Sequence, residues 1–160
     1  MASASIEECT RLLVEKKLSL AFVESASGGI LCGEFALVPG SGKVLLGGLI
    51  TYDGDLKKQL LDIPDELIEE FTPESAEVTE AMAQGLKRII PADVIIANTG
   101  LLTSGGSETP EKPVGTIFIH ALIKHKSVSF RKVYSGSPGE MVLKNADDVA
   151  CLIIEETGDI

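Results

Sequence analysis

Cysteine is scarce in this sequence, and its three cysteines are far apart. Cys9, Cys32 and Cys151 lack the spacing of metal ligands, and their odd number argues against a framework of disulfide bonds. These features exclude a small secreted domain held together by disulfides. They indicate a protein of the reducing cytoplasm.

Positive charge is also in short supply. The 14 lysine and arginine residues stand against 24 aspartate and glutamate residues, which gives a formal net charge of -10. Binding to nucleic acid without sequence preference requires a basic surface that contacts phosphates, so we expect no nucleic-acid partner. An anionic small ligand is compatible with this charge only if a local cluster of donors overcomes the negative field.

Long apolar runs and a targeting segment are absent as well. No stretch is long enough to cross a bilayer, and residues 1–8 lack a basic region followed by an apolar one. We therefore expect no membrane partner and no signal peptide. A hydrophobic share of 44% in 160 residues instead predicts one globular domain over residues 1–160 with a sizeable core.

Apolar runs alternate with helical patterns along the chain, and this order predicts the fold class. The last two predicted strands are adjacent and form a hairpin that turns at residues 124–126. Interleaved strands and helices with such a hairpin indicate an α/β protein, a three-layer α/β/α sandwich with a mixed sheet. The predicted strands are 19–24, 44–52, 93–98, 114–123 and 127–134, and the predicted helices are about 5–17, 28–37, 54–61, 65–70, 73–90 and 139–156.

Several single residues refine this prediction. Ser5 and Glu8 predict a capping box for the first helix, and Thr72 predicts the N-cap of the helix that begins at residue 73. Gly48, with the glycine before it, marks a strand that another group approaches closely. His120 lies within an apolar strand, where a histidine is usually a hydrogen-bonded structural residue.

A serine-containing turn at residues 23–29 is the first candidate site. Ser25 follows an apolar strand and precedes a helical pattern, and such a turn can expose a hydroxyl beside free helix N-terminal N–H groups. Those N–H groups suit an anion, either a phosphate or a developing oxyanion. The same residues also fit a plain helix N-cap, with Gly28 and Gly29 relieving a tight turn.

A glycine-rich segment from residue 100 to residue 115 is the second candidate site. Gly105 and Gly106 allow backbone N–H groups to form an anion-binding concavity, and Lys112 adds a charge. The alternative is a surface loop with ordinary turn residues. Ligands of open α/β sheets bind beyond the carboxyl ends of strands, so three loops are expected to converge: residues 24–29, 51–57 and 98–106.

Several motifs in one order resemble those of a known family. Residues 24–29, Glu-Ser-Ala-Ser-Gly-Gly, are similar to the family's E-S-C-T-G-G. Residues 39–41 and 47–52 look like its P-G-S-S and G-G-V-x-T-Y. Lys57 falls five residues after Tyr52, as in its Y-S-N-x-x-K.

The resemblance continues through the glycine-rich segment. Thr99-Gly100 is similar to the start of the family's T-G-I-A-G-P, and residues 109–116 match its T-P-E-K-P-V-G-T. The chain thus resembles the CinA C-terminal domain family over about residues 5–156. That family includes stand-alone nicotinamide-nucleotide amidases.

The resemblance implies an α/β/α fold, frequent homo-oligomers and a small-molecule nucleotide substrate. The implied reaction hydrolyses nicotinamide mononucleotide to nicotinate mononucleotide and ammonia, with no cofactor and no metal. Ser25 is implied as the nucleophile, Lys57 as its base, and Tyr52 as a hydroxyl relay between the lysine and the serine or the leaving group. The implied substrate-binding residues are Ser27, Gly28, Gly29, Ser41, Thr99, Gly100, Gly105, Gly106 and Lys112.

The chain departs from the family pattern in places. Ala26-Ser27 replaces Cys-Thr, Asp53-Gly54 replaces Ser-Asn, and two arginines near the last helix are absent from residues 136–141. Lys144 is the candidate replacement for those arginines. These changes leave a second function open, a catalytically weakened or inactive member that acts as a nucleotide-binding or protein-interaction module. Without the family pattern, Tyr52 is interpreted as a strand-end tyrosine and Lys57 as a solvated helix lysine, the usual state of both residue types.

Overall fold

In the computed structural model, which describes residues 2–160, six α-helices surround one five-stranded sheet. The helices are α1 (Ala4–Lys16), α2 (Ile30–Ala36), α3 (Gly54–Leu61), α4 (Asp65–Phe71), α5 (Ala76–Ile89) and α6 (Pro138–Thr157), with a short 3-10 helix at Ser41–Lys43. The strands are β1 (Leu20–Glu24), β2 (Leu45–Ile50), β3 (Val94–Gly100), β4 (Thr116–Ile123) and β5 (Lys126–Val133).

The sheet is mixed, with the strand order β2-β1-β3-β4-β5. β1 runs parallel to both β2 and β3, whereas β4 and β5 continue the sheet in antiparallel fashion. At the carboxyl end of β1, Glu24 is paired with Ile50 of β2 and Asn98 of β3. The three chain segments that leave these strands therefore begin side by side.

Helices cover both faces of the sheet, which confirms the predicted three-layer α/β/α architecture. On one face α1, α2 and α6 pack against the strands, and the rings of Phe22 and Phe35 lie 5.1 Å apart between their centroids. On the other face α3 and α5 bury Leu61 and Met82 against Ile95. Because strand side chains alternate between faces, each central strand contributes to both hydrophobic cores.

Gly48 allows β2 to lie close to β1. A Cβ atom at this position would come within 2.4 Å of the carbonyl oxygen of Phe22, so any larger residue would push the strands apart. The prediction of a close approach at this glycine is confirmed, and the neighbour is β1 itself.

The predicted capping box of the first helix is wrong. α1 begins one residue earlier, and the hydroxyl of Ser3 accepts the N–H of Ile6. Ser5 lies inside the helix, where its hydroxyl donates to Asp147 of α6 at 2.7 Å. The serine thus joins two helices instead of capping one.

The predicted start of α5 is also wrong by three residues. Ser75 is the N-cap, and its hydroxyl accepts the N–H of Val78 at 3.2 Å. Thr72, with a φ of 69°, ends α4 instead of beginning the next helix. Thr72 is thus a capping residue as predicted, but it caps the end of α4, and Ser75 caps the start of α5.

The hairpin of β4 and β5 explains His120. Its Nδ1 is hydrogen-bonded to the hydroxyl of Ser129 at 2.6 Å and its Nε2 to that of Ser127 at 2.9 Å, both on β5. Burial lowers the pKa of His120, which favours the neutral ring between these hydroxyls. This histidine therefore has a structural role.

Among the helices of residues 2–160, none combines the length and apolarity needed to cross a membrane.

Candidate active site

Lys57 and Ser25 meet where β1 and β2 end. Lys57 Nζ lies 3.0 Å from Ser25 Oγ, 2.6 Å from the carbonyl oxygen of Thr51 and 3.4 Å from that of Tyr52. The lysine is only 1% exposed. A buried amine in contact with a serine hydroxyl is the arrangement that a serine–lysine pair requires.

The start of α3 accounts for the position of Lys57. Asp53 caps the helix, and its Oδ1 accepts the N–H of Asp55 at 2.9 Å. Lys57 and Leu61 lie four residues apart on one helix face, and both are buried. The face that anchors α3 in the core therefore also carries the lysine inward, which excludes the alternative of a solvated side chain.

Burial changes the protonation of the amine. Desolvation lowers the pKa of Lys57 below the ordinary value of 10.5, while the negative charges of Glu74 and Asp53 act in the opposite direction and raise it. A neutral amine has two N–H groups and one lone pair. The two neighbouring carbonyl oxygens can accept the N–H groups, which leaves the lone pair for the hydroxyl proton of Ser25.

Glu24 fixes the turn that carries Ser25. Its carboxylate is buried and accepts the N–H groups of Gly29 at 3.0 Å, Leu31 at 3.1 Å and Cys32 at 2.7 Å. These groups belong to the start of α2, where a negative charge also suits the helix dipole. The N–H groups of residues 29, 31 and 32 are therefore occupied by a carboxylate of the chain itself, and an oxyanion near Ser25 stays a prediction that depends on other donors of the turn.

Ser27 and Asn98 complete the support of the turn. The hydroxyl of Ser27 donates to Glu24 at 2.5 Å and accepts from Asn98 Nδ2 at 2.7 Å, while Asn98 Oδ1 accepts the N–H of Ser25 at 3.0 Å. Ser27 is buried, so the expected substrate contact is corrected to a structural role. Sequence reasoning missed Glu24 and Asn98, although a polar residue at the end of a buried strand was a usable indication for both.

A cleft of about 320 Å³ opens beside Ser25. Its walls come from different parts of the chain: Ser25 and Ala26 after β1, Tyr52 after β2, Glu74 before α5, Pro138 at the start of α6, and residues 100–106 after β3. The three loops that the sequence predicts to converge do so here. The volume is within the range of small-molecule sites, about 300–1,000 Å³.

Comparison with known proteins identifies the family. The family model of the CinA C-terminal domain matches residues 2–157. This chain belongs to the CinA C-terminal domain family. A CinA-like protein of Thermotoga maritima is 36% identical over 130 residues, which cover 81% of this chain and 31% of that protein. A CinA-like protein of Desulfotalea psychrophila is 42% identical over 113 residues, 71% of this chain and 27% of that protein.

The CinA-family chain thus spans about a third of the length of the curated relatives it matches. Solved structures have the same fold. The competence damage-inducible protein A of Klebsiella pneumoniae superposes with a TM-score of 0.89 at 21% identity, covering 96% of this chain and 98% of that one. The competence/damage inducible protein CihA of Agrobacterium tumefaciens gives 0.87 at 25% identity, with 97% of each chain covered.

Tyr52 lies at the rim of the CinA-family cleft. Its side chain is 73% exposed and lines the cleft near Ser25. Lys57 contacts Ser25 directly, so a relay through Tyr52 between these two groups is not formed. The exposed side chain is instead available to a molecule that enters the cleft.

Three of the implied substrate-binding residues line the cleft, and six do not. Gly100, Gly105 and Gly106 are part of its wall. The residues away from the cleft wall are Ser27, Gly28, Gly29, Ser41, Thr99 and Lys112.

Local contacts explain several of these placements. Thr99 is fully buried and its hydroxyl is hydrogen-bonded to that of Thr79 at 2.9 Å, and the hydroxyl of Ser41 donates to the carbonyl of Ala36 at 3.1 Å. The glycines at 28 and 29, with φ of 59° and 97°, form the turn into α2. These four residues thus have roles in the fold, and their contact with substrate stays a prediction.

Lys112 is committed to contacts within the fold. Its Nζ donates to Thr72 Oγ1 at 2.7 Å, to the carbonyl of Glu74 at 2.9 Å and to Ser107 Oγ at 3.0 Å. It therefore joins the glycine-rich segment to the connection between α4 and α5, and its contact with a phosphate stays a prediction. Lys144 likewise donates to the carbonyl of Ser135 and lies outside the cleft wall.

The glycine-rich loop forms the predicted concavity, but a side chain of the chain occupies it. The N–H groups of Gly105 and Gly106 donate to the two carboxylate oxygens of Glu108 at 2.7 and 2.8 Å. Gly105 has a φ of 95°, a conformation that favours glycine. The predicted anion site is therefore filled by Glu108.

The charge of the cleft wall differs from that of a phosphate site. Within residues 2–160, no arginine or lysine side chain forms part of the wall, and Glu74 is its one carboxylate. Among the same residues, no group of three or more His, Cys, Asp or Glu side chains is arranged to hold a metal ion.

Proposed function

We propose that this CinA-family domain is an amidohydrolase that converts nicotinamide mononucleotide and water to nicotinate mononucleotide and ammonia. The observation that carries the proposal is the buried Lys57 amine, 3.0 Å from the Oγ of Ser25, a residue that lines the cleft. The family membership supports it, because the motifs that this chain shares with the family imply this reaction.

The first half of the reaction forms an acyl-enzyme. The lone pair of neutral Lys57 takes the hydroxyl proton of Ser25 as Oγ attacks the carboxamide carbon. The tetrahedral intermediate then collapses while the lysine ammonium returns that proton to the leaving nitrogen. Ammonia departs, the carbon–nitrogen bond is broken, and the acyl group remains as an ester on Ser25.

The second half repeats the chemistry with water. Lys57, neutral again, removes a proton from a water molecule that attacks the ester carbon. The returning proton restores the hydroxyl of Ser25, and the carboxylate product leaves. The net reaction consumes one amide and one water and releases one carboxylic acid and one ammonia.

The backbone after Ser25 supplies a donor for the oxyanion. Ala26 lines the cleft next to the nucleophile, and within residues 2–160 its N–H donates to no hydrogen-bond acceptor. The N–H of the residue after the nucleophile is a common element of oxyanion sites. The rigid support from Glu24 and Asn98 holds this segment in place before substrate arrives.

Ammonia release tests this proposal directly. Purified protein is incubated with nicotinamide mononucleotide, and ammonia and nicotinate mononucleotide are quantified. We expect equal amounts of the two products from the wild type, none from Ser25→Ala, and wild-type rates from Ser135→Ala, an exposed serine that is not part of the cleft wall. A wild type that binds the nucleotide without releasing ammonia would favour the binding-module alternative.

A further proposal concerns self-association. β2 is an edge strand, and its side chains Leu46 and Ile50 are 56% and 52% exposed. An edge strand with exposed apolar residues is a surface to which another chain can add. We propose a homo-oligomer that uses this edge. Light scattering at working concentration tests it, and a monomer mass would contradict it.

A further inference from the structure

We propose that Glu74 makes the cleft selective for a positively charged ring, so that its substrates are quaternary pyridinium carboxamides and a phosphate is dispensable. The inference rests on the proposed amidase function and specifies its substrate class. Glu74 is assigned as a specificity-determining residue, since it lines the cleft that contains Ser25.

Contacts on both sides hold Glu74 in place. Its Oε2 accepts the hydroxyl of Ser107 at 2.5 Å, and its carbonyl oxygen accepts Lys112 Nζ at 2.9 Å. The lysine contacts the main chain of Glu74, and the carboxylate has a neutral hydroxyl as its hydrogen-bond partner. The negative charge of Glu74 acts to raise the pKa of both Lys112 and Lys57, so it reaches the site beside Ser25 although Lys112 offsets part of it.

The rest of the wall has no positive group that would favour a phosphate. The basic side chains of residues 2–160 are absent from the wall, and the N–H groups of Gly105 and Gly106 already hold Glu108. A phosphate needs such donors or cations to replace its water. A cation entering the same cleft meets an acidic wall instead.

Tyr52 adds a second feature that suits a cationic ring. Its exposed side chain lines the cleft together with the glycine-rich loop. The face of a tyrosine ring attracts a cation electrostatically and stacks on aromatic ligands. Glu74 and Tyr52 together provide charge and an aromatic face for a pyridinium.

The same carboxylate connects substrate charge to the base. The charged groups that act on Lys57 are Glu74, before α5, and Asp53, at the start of α3, and both raise its pKa. A positive ring bound beside Glu74 offsets the field of that carboxylate. Substrate binding thus favours the neutral lysine that the first proton transfer needs.

A pair of small carboxamides tests the charge selectivity. Nicotinamide is neutral, whereas 1-methylnicotinamide is a pyridinium cation without ribose or phosphate. We expect kcat/KM of the wild type to favour the cation by about tenfold or more, as one charge pair in a solvent-open cleft allows. Glu74→Gln, which keeps an oxygen for Ser107, is expected to remove most of that preference, whereas Glu77→Gln on the exposed side of α5 is expected to keep it.

A pH profile adds a readout that a structural role of Glu74 would not change. Because the carboxylate raises the pKa of Lys57, Glu74→Gln is expected to shift the rise of kcat/KM for neutral nicotinamide to lower pH. An unchanged profile together with an unchanged ratio of the two carboxamides would overturn the assignment.

Binding measurements separate this inference from the proposed reaction. In a Ser25→Ala background, equilibrium dialysis of 1-methylnicotinamide is expected to show binding that Glu74→Gln weakens by about tenfold, with nicotinamide unaffected. This result would support the inference even if the wild type released no ammonia. Absence of binding to the cation, or equal binding by both variants, would overturn it.

The role of the phosphate is tested with two further substrates. Nicotinamide riboside and nicotinamide mononucleotide carry the same pyridinium and differ in the phosphate. We expect similar kcat/KM for both. A tenfold or larger advantage of the mononucleotide would show that the phosphate contributes about 1.4 kcal/mol and would contradict this part of the inference.

Discussion

Ser25 and Asn98 are joined across two neighbouring strands, because the N–H of Ser25 donates to Asn98 Oδ1 at 3.0 Å. The same asparagine donates to the hydroxyl of Ser27, so one side chain holds the nucleophile turn at two points. The geometry of the proposed nucleophile therefore depends on a residue of β3 that lies 73 positions away in sequence.

Replacement of Asn98 is predicted to affect both stability and catalysis. Asn98→Ala removes two side-chain hydrogen bonds, at about 0.5–1.5 kcal/mol of the free energy of unfolding each, while the N–H of Ser25 keeps the carbonyl oxygen of residue 98 and the hydroxyl of Ser27 keeps Glu24. It also releases the turn that carries Ser25, so kcat is expected to fall. Urea unfolding and ammonia release measure the two effects.

Asn145 provides a matched control for that variant. This residue of α6 is also fully buried, and its Nδ2 donates to the hydroxyl of Tyr134 at 3.1 Å. Asn145→Ala removes one buried hydrogen bond and is expected to lower stability without a specific loss of kcat in the folded protein. Equal kcat in the two folded variants would contradict a positioning role of Asn98.

The pH dependence of activity is predicted from the protonation of Lys57. Catalysis needs the neutral amine, so kcat/KM is expected to rise with pH through a single ionisation and to be lost as the pH falls below it. Because burial lowers this pKa, the midpoint is expected below the ordinary lysine value of 10.5. A rate profile that falls with rising pH in this range would contradict the assignment of the base.

The same lowered pKa has a consequence for stability. Between the folded-state pKa of Lys57 and 10.5, the unfolded chain binds a proton that the folded chain does not. The contribution of this group to stability therefore increases as the pH rises through that window and is lost below it. Lys57→Met is expected to flatten this part of the stability profile, as measured by urea unfolding at several pH values.

Tyr52 is predicted to contribute through its ring more than through its hydroxyl. The side chain is exposed, and Lys57 contacts Ser25 without it. Tyr52→Phe is therefore expected to keep kcat within about tenfold of the wild type, short of the roughly 10²–10⁴-fold loss typical of a proton-transfer group. Tyr52→Ala removes the aromatic face and is expected to raise KM, since a cation–π contact at an exposed site contributes about 0.5–1 kcal/mol. A loss of 100-fold or more in Tyr52→Phe would instead restore the hydroxyl relay.

Much of the fold follows from local patterns in the sequence. The mixed sheet, the hairpin and the bounds of α3 were predictable, because apolar runs, turn residues and glycines act over a few positions. The start of α5 was not, since Thr72 and Ser75 are both good capping residues and only the packing of α4 decides which one begins the helix.

The candidate site was less predictable, for a physical reason. Both predicted anion sites are real donor clusters, but each is filled by a carboxylate of the chain, Glu24 at the start of α2 and Glu108 in the glycine-rich loop. The sequence indicates donors at a turn, whereas which acceptor reaches them depends on side-chain positions in space. The position of Glu74 in the cleft wall depends likewise on how α4 and α5 are connected.

Serine and lysine are proposed to act as one unit, and single and double substitutions test this claim most directly. Ammonia release from nicotinamide mononucleotide is measured for Ser25→Ala, Lys57→Ala and the double variant, with Lys58→Ala as the matched control. Lys58 is the next residue on α3, but its amine pairs with Asp65 at 2.7 Å on the surface.

We predict that each single substitution in the pair abolishes most activity, that the double variant is little worse than either, and that Lys58→Ala stays near the wild type. Near-wild-type turnover by Lys57→Ala with Ser25 intact would contradict the serine–lysine mechanism.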